Sequence, residues 1–155
     1  MKRWKKIVLG VLGTLVVVVI ALVTWVWTTA LSRLEFPGTP MPAVHASTDP
    51  AVIARGHDLV FGAAHCVSCH GTYERLHPEA LRADVPLSGG LPIAPHLGPF
   101  YSANLTSDPE TGIGAWSDEE IARVIRTGVR RNGQLSVFMR LSLGPMSDED
   151  LIAVV

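Results

Sequence analysis

Cys66, Cys69 and His70 stand together in the stretch AAHCVSCHGT, and the two cysteines are the only ones in the 155 residues. Two thiols three positions apart, followed directly by an imidazole, admit a redox dithiol, half of a zinc site, or covalent attachment of haem. A dithiol oxidoreductase carries its Cys-x-x-Cys near a βαβ pattern, and no alternating strand pattern of useful length occurs here. Zinc needs about four ligands, and the histidines are scattered without a second paired spacing. A disulfide across two intervening residues closes a tiny loop and constrains little. Haem uses the whole motif: Cys66 and Cys69 become thioethers to the vinyl groups, and His70 offers an axial nitrogen to iron.

The other face of the iron then decides the chemistry. A thioether there favours the reduced state, whereas an open position admits ligands. The downstream methionines are Met139 and Met146. Met146 is accounted for as the apolar residue preceding a helix cap. Met139 lies in GQLSVFMRLSLGP, between two expected helices in a stretch with no clear amphipathic period, where core packing explains it poorly. Met139 is therefore the first candidate, Met146 the second, and a histidine such as His96 or His77 the third. His45, His57 and His65 read as surface or packing residues, and Met41 is remote from any pocket. Phe138, Trp116, Leu91, Ile93, Leu97, Phe100 and Tyr101 are candidates to pack on the macrocycle, each equally suited to ordinary core. Arg123, Arg126, Arg130 and Arg131 carry charge that would neutralise a propionate, but a solvated helix face is the simpler reading for most of them.

These residues must be positioned by the chain around them, whose first 30 residues belong to something else. Ile7 to Trp27 is free of charge, and at about 1.5 Å per residue it spans roughly 31 Å, the thickness of a bilayer core. A cleaved secretory signal has an apolar stretch of only about 7–15 residues before a small-residue site, and no A-x-A pattern follows Trp27. Trp4, Trp25 and Trp27 fall where interfacial indoles sit. Lys2, Arg3, Lys5 and Lys6 precede the span, which predicts a single pass with a cytoplasmic amino terminus. Setting those four aside leaves nine of the 13 basic residues against all 14 acidic ones, a net −5. Such a surface is not one for nucleic acid.

Residues 31–48 hold Pro37, Pro40 and Pro42 and predict an extended linker, long enough to let the domain move over the membrane or lie pinned against a partner. The domain proper is expected over 49–155, after an anchor over 1–30. Asp49 and Pro50 form a helix start, with Val52, Ile53, Leu59 and Val60 continuing at helical spacing toward the cysteines. Gly56 inside that helix suits either a close helix crossing or a tolerated glycine. Residues 71–107 are rich in Pro and Gly with little periodicity, and a loop this long has a reason to be ordered if it wraps a large apolar group. In WSDEEI, Ser117 and Glu120 form a capping box with Trp116 and Ile121 as staple, and in MSDEDL, Ser147, Asp150, Met146 and Leu151 repeat the offsets. Helices are thus expected from about residues 118 and 148, the first ending at Gly128. The soluble part reads as all-α, too small to have much core of its own.

CVSCH, SANLTSDPETGIGAWSDEEIARVIRTGVRRNG, then FM and MSDEDL together resemble the single-haem domains of class I c-type cytochromes, especially those repeated in membrane-bound dehydrogenase cytochrome subunits. The likeness covers about residues 50–155, and NLTSDPETGIGAWSDEE is its most specific part. It implies a class I cytochrome c domain behind one transmembrane helix in the cell inner membrane, facing the periplasm, with one covalent haem c. It also implies His70 and Met139 as axial ligands, and an electron carrier rather than an enzyme. Its partners would be a membrane dehydrogenase, a quinol-oxidising complex, an oxidase or a reaction centre. Three features depart from the pattern: Arg140 follows Met139 where family members commonly have proline, the chain carries one haem motif where the dehydrogenase subunits carry several, and the last helix stops at Val155 without the usual further aromatic residues. The last of these leads one to expect a further tail or a partner that completes the packing. The alternative function is a haem sensor or peroxidase-like enzyme with a displaceable sixth ligand, for which Arg140 would be the distal cation.

Overall fold

The computed structural model describes residues 2–32, 35–72 and 85–155. Its regular elements are helices: α1 (Lys2–Ser32), α2 (Pro50–Asp58), α3 (Cys66–His70), α4 (Asp118–Thr127), α5 (Val137–Leu143) and α6 (Asp148–Val154). Among the described residues antiparallel pairing is confined to three isolated bridges, Glu35 with Gln134, Pro92 with Tyr101 and Val129 with Leu135, so the domain is all-α. The apolar stretch Arg3–Thr29 of α1 is exposed along its length, because only a bilayer provides a partner for a helix that is apolar all round. It is the single N-terminal membrane-spanning helix that anchors the protein.

Local chemistry accounts for most helix ends. The Asp49 carboxylate accepts from Ala51 N–H at 2.8 Å, with Pro50 in the first turn. Ser117 and Glu120 form the reciprocal box that opens α4, and Gly128 closes it in the left-handed region at φ 76°. The second expected box is half made. Ser147 Oγ accepts from Asp150 N–H at 3.1 Å, whereas the Asp150 carboxylate accepts from Arg55 Nε at 2.7 Å across the helix pair.

That pair is the tightest junction in the domain. A Cβ on Gly56 would stand 1.8 Å from the Ala153 carbonyl oxygen, so the glycine permits α2 and α6 to cross with their backbones in contact. α6 also packs on α4, and α4 on α5. Ala122, Ile125 and Leu151 form the buried cluster between them, with Val44, Ile121, Met139, Leu143 and Met146 packed around it.

Three features depart from the sequence expectations. α2 does not run on to the cysteines as a regular helix: it passes into a π-helical turn, Leu59–Ala63, and breaks at Gly62 (φ −117°, ψ −107°). Residues 137–143, expected as an irregular stretch, form α5; so short a helix owes its stability to packing on α4 rather than to propensity. The described part of the proline-containing linker lies against the domain. Phe36 N–H donates to the Gly133 carbonyl at 2.6 Å, Val44 packs on the buried cluster, and Ala46 N–H donates to Asp118 Oδ2 at 2.8 Å. It forms a strap from the 129–135 hairpin to the start of α4.

Candidate haem site

The Cys motif is placed by a change of chain direction. His65, in the left-handed region at φ 52°, separates the π-helical turn from α3. One helical turn then sets the side chains of the motif, with Val67 fully buried as its anchor. Cys66 and Cys69 are half-buried, and no disulfide joins them. Burial pushes the Cys66 thiol up to about 11, opposite to the lowered value that a reactive redox dithiol requires. Among the described residues no three His, Cys, Asp or Glu side chains gather as a metal-binding group. The donor set is that of a macrocycle attached through sulfur.

His70 is 8% exposed. Its Nδ1 stands 2.7 Å from the Ala103 carbonyl oxygen, and a carbonyl only accepts, so Nδ1 carries the proton and Nε2 keeps its lone pair. Burial, with a smaller contribution from the charge of Arg130, holds the imidazole below its usual value and therefore neutral at pH 7, although the Ala103 bond opposes this. A buried neutral imidazole with one nitrogen locked on the backbone is what axial ligation of iron requires.

The Pro- and Gly-rich loop supplies that lock. The His70 carbonyl accepts from Gly89 N–H at 2.8 Å, and a ladder joins the two arms of the loop through Gly90 to Ser102, Ser102 to Leu91 and Ile93 to Phe100. The segment after it is knitted around two side chains. Asn104 Oδ1 accepts from Thr106 N–H at 2.9 Å, and Asp108 Oδ1 accepts from Glu110 and Thr111 N–H at 3.0 and 2.7 Å. Gly112 and Gly114 pass so close to this turn that a Cβ would meet carbonyl oxygens at 2.3 and 2.0 Å. The family-specific NLTSDPETGIG stretch is thus a scaffold for the start of α4.

Met139 is half-buried in α5, and both it and Met146 pack around the Ala122–Ile125–Leu151 cluster. The expectation that core packing explains Met139 poorly is therefore corrected: α5 gives it a core contact. What separates the two methionines is the neighbour of Met139. The Phe138 ring meets Phe100 of the loop edge-on at 6.0 Å, bringing α5 to the segment that holds His70 through Ala103. His96 is exposed on a 3₁₀ turn, Pro95–Leu97, and His77 lies outside the described residues. His45 faces Glu119 at 3.2 Å, and His57 lies tilted against Phe61 with ring centres 4.8 Å apart.

Of the other packing candidates, Leu91 and Ile93 are half-buried and Tyr101 is exposed, while Trp116 lies under Arg131 at 5.6 Å. The arginines are not a uniform solvated face. Arg123 is 4% exposed, donates from Nη2 to the Arg130 carbonyl at 3.0 Å, and has an Nε without a partner. Arg126 binds the Gly144 and Met146 carbonyls and pairs with Asp148. Arg131 pairs with Glu120 at 2.8 Å, and Arg130 is exposed. The guanidinium of Arg140 lies against Gly144, where a Cβ would be 2.0 Å from Nη1, covering the carboxyl end of its own helix. The residues that sequence reasoning missed, Ala103 and Gly89, act through backbone groups, which no side-chain pattern announces.

Comparison with known proteins finds no matching family model. The chain is 35% identical over 107 residues to the gluconate 2-dehydrogenase cytochrome c subunit of Pantoea cypripedii, an alignment covering 67% of this chain and 22% of that protein. It is 34% identical over 116 residues to the cytochrome c subunit of the quinone-type alcohol dehydrogenase of Gluconobacter oxydans, covering 72% of this chain and 22% of that protein. The fructose dehydrogenase cytochrome subunit of Gluconobacter japonicus is 31% identical over 134 residues, 84% of this chain and 25% of that protein. The chain thus spans a quarter or less of the length of these relatives.

Proposed function

Because this chain carries a class I c-type cytochrome domain, with one covalently attached haem c, homologous to those of dehydrogenase cytochrome c subunits, we propose that it is a membrane-anchored one-electron carrier. Cys66 and Cys69 would hold the haem through thioether bonds, and His70 Nε2 and Met139 Sδ would ligate its iron. The haem supplies the one-electron couple. The chain supplies position and environment: α3 presents the sulfurs, the Ala103 carbonyl fixes the imidazole plane and tautomer, and Phe100 and Phe138 meet as an aromatic pair beside Met139. No catalytic acid, base or nucleophile is called for. The buried, carbonyl-locked His70 is the observation that carries this reading.

The four basic residues ahead of the uncharged run Ile7–Trp27 favour a cytoplasmic amino terminus, which puts the haem domain in the periplasm, above the inner membrane. The names of the relatives support a membrane dehydrogenase as donor. A quinol-oxidising complex, an oxidase or a reaction centre would serve equally as the other redox partner. The sensor or peroxidase-like alternative relied on Arg140 as a distal cation, and that guanidinium lies beside Gly144 at the carboxyl end of its own helix.

The test is a redox and optical titration of the purified full-length protein. We expect a reversible one-electron couple, and in Met139→Ala a potential lower by on the order of 100 mV or more, an opened sixth position and rapid carbon monoxide binding by the reduced form. An unchanged spectrum in Met139→Ala, with the change appearing in Met146→Ala, transfers the ligand to Met146. Rapid, complete carbon monoxide binding by the unmodified protein would overturn the carrier assignment.

A further inference from the structure

The strap leaves little free chain between bilayer and domain. The apolar span ends at Thr29, α1 continues to Ser32, and the strap is paired with the hairpin already at Glu35 and Phe36. Even fully extended, residues 33 and 34 carry Glu35 no more than about 15 Å beyond the end of the span. The headgroup layer takes up about 5–7 Å of that distance.

The part of the domain held there is the 129–135 hairpin. Its closeness to the strap is enforced: Gly133, at φ 83°, has Pro37 Cα where a Cβ would stand 3.1 Å from it. Exposed at this edge are Arg130, Arg131, Asn132 and Gln134, with Phe36 44% exposed beside them. Arg131 is engaged by Glu120, so the outward charges at this edge are Arg130 and, on the strap, the exposed Glu35. Beyond residue 6 the chain has five more acidic than basic residues, so an anionic surface repels the domain as a whole, and Arg130 is the group at this edge that a lipid phosphate attracts.

We propose that the tip of the 129–135 hairpin and Phe36 rest on the membrane surface, with the Phe36 ring in the headgroup boundary and the Arg130 guanidinium on lipid phosphates. The inference rests on the membrane reading of α1.

Benzoylphenylalanine in place of Phe36, one aromatic ring for another, tests it in the full-length protein held in nanodiscs containing phosphatidylglycerol. Asp58, 87% exposed in the last turn of α2, provides the control position. After irradiation we expect lipid adducts at position 36 several-fold above those at position 58 by mass spectrometry. Arg130→Glu should lower the yield at 36 in anionic discs and leave it unchanged in zwitterionic ones. Equal yields at the two positions overturn the contact, and a yield indifferent to Arg130→Glu in anionic discs overturns the phosphate assignment. An unchanged far-ultraviolet circular dichroism spectrum in each variant confirms that the fold is retained.

Discussion

Gly56 shows how much one missing methyl group can hold. In a solvated helix, Gly→Ala gains about 1 kcal/mol; here the added carbon would meet the Ala153 carbonyl at 1.8 Å. The steric term wins, because the backbones of α2 and α6 must move apart and overpacking costs about 1–3 kcal/mol or more. Gly56→Ala should therefore lower the thermal midpoint by several degrees, as read by circular dichroism. A rise in the midpoint would show that the crossing is loose. The sequence left this glycine open between two readings, since a crossing partner 97 positions away has no local signature. His70 was legible as a candidate ligand from its place after Cys69. The Ala103 carbonyl that orients it was not, because every residue has a carbonyl.

At the level of elements, start and stop signals read well and packing-driven elements did not. Asp49, Ser117, Ser147 and Gly128 announce their helix ends through local hydrogen-bond chemistry. α5 has no side-chain cap hydrogen bond at Ser136 and exists because α4 offers it a surface. The MSDEDL box was only half right, since Asp150 has a stronger donor in Arg55 than in the backbone N–H of its own cap. That exchange has a pH signature. The Arg55 guanidinium holds the Asp150 carboxyl below its usual range, so the bridge contributes stability above about pH 4 and loses it as pH falls through the lowered value. Asp150→Asn should melt below the unmodified protein at pH 7, and the two midpoints should converge as pH falls below the usual carboxylate range. Parallel curves over that range would mean that the clasp between α2 and α6 carries no stability.

For the molecule as a whole, the decisive quantity is how little apolar side chain the polypeptide buries. Among the described residues the buried hydrophobics are Val67, Val85, Ala122, Ile125, Val129 and Leu151, a thin core even for a domain of about 100 residues. Chain length alone led one to expect this scarcity. Protein in which both Cys66 and Cys69 are replaced by serine, or made without haem attachment, should lack a cooperative thermal transition and be cleaved rapidly by protease. A sharp melt in such protein would show that the helices suffice without the macrocycle. The linker was the least legible part, because three prolines say that a segment is extended and nothing about what it lies on.

Docked by Phe36, Val44 and Ala46, that segment is a splint rather than a leash. A redox domain so mounted cannot sweep a hemisphere in search of collisions, and its meetings with other proteins become a two-dimensional problem. Turnover should then follow how crowded the bilayer is and how fast proteins drift within it, slowing when extra lipid spreads them apart and hardly responding to solution viscosity.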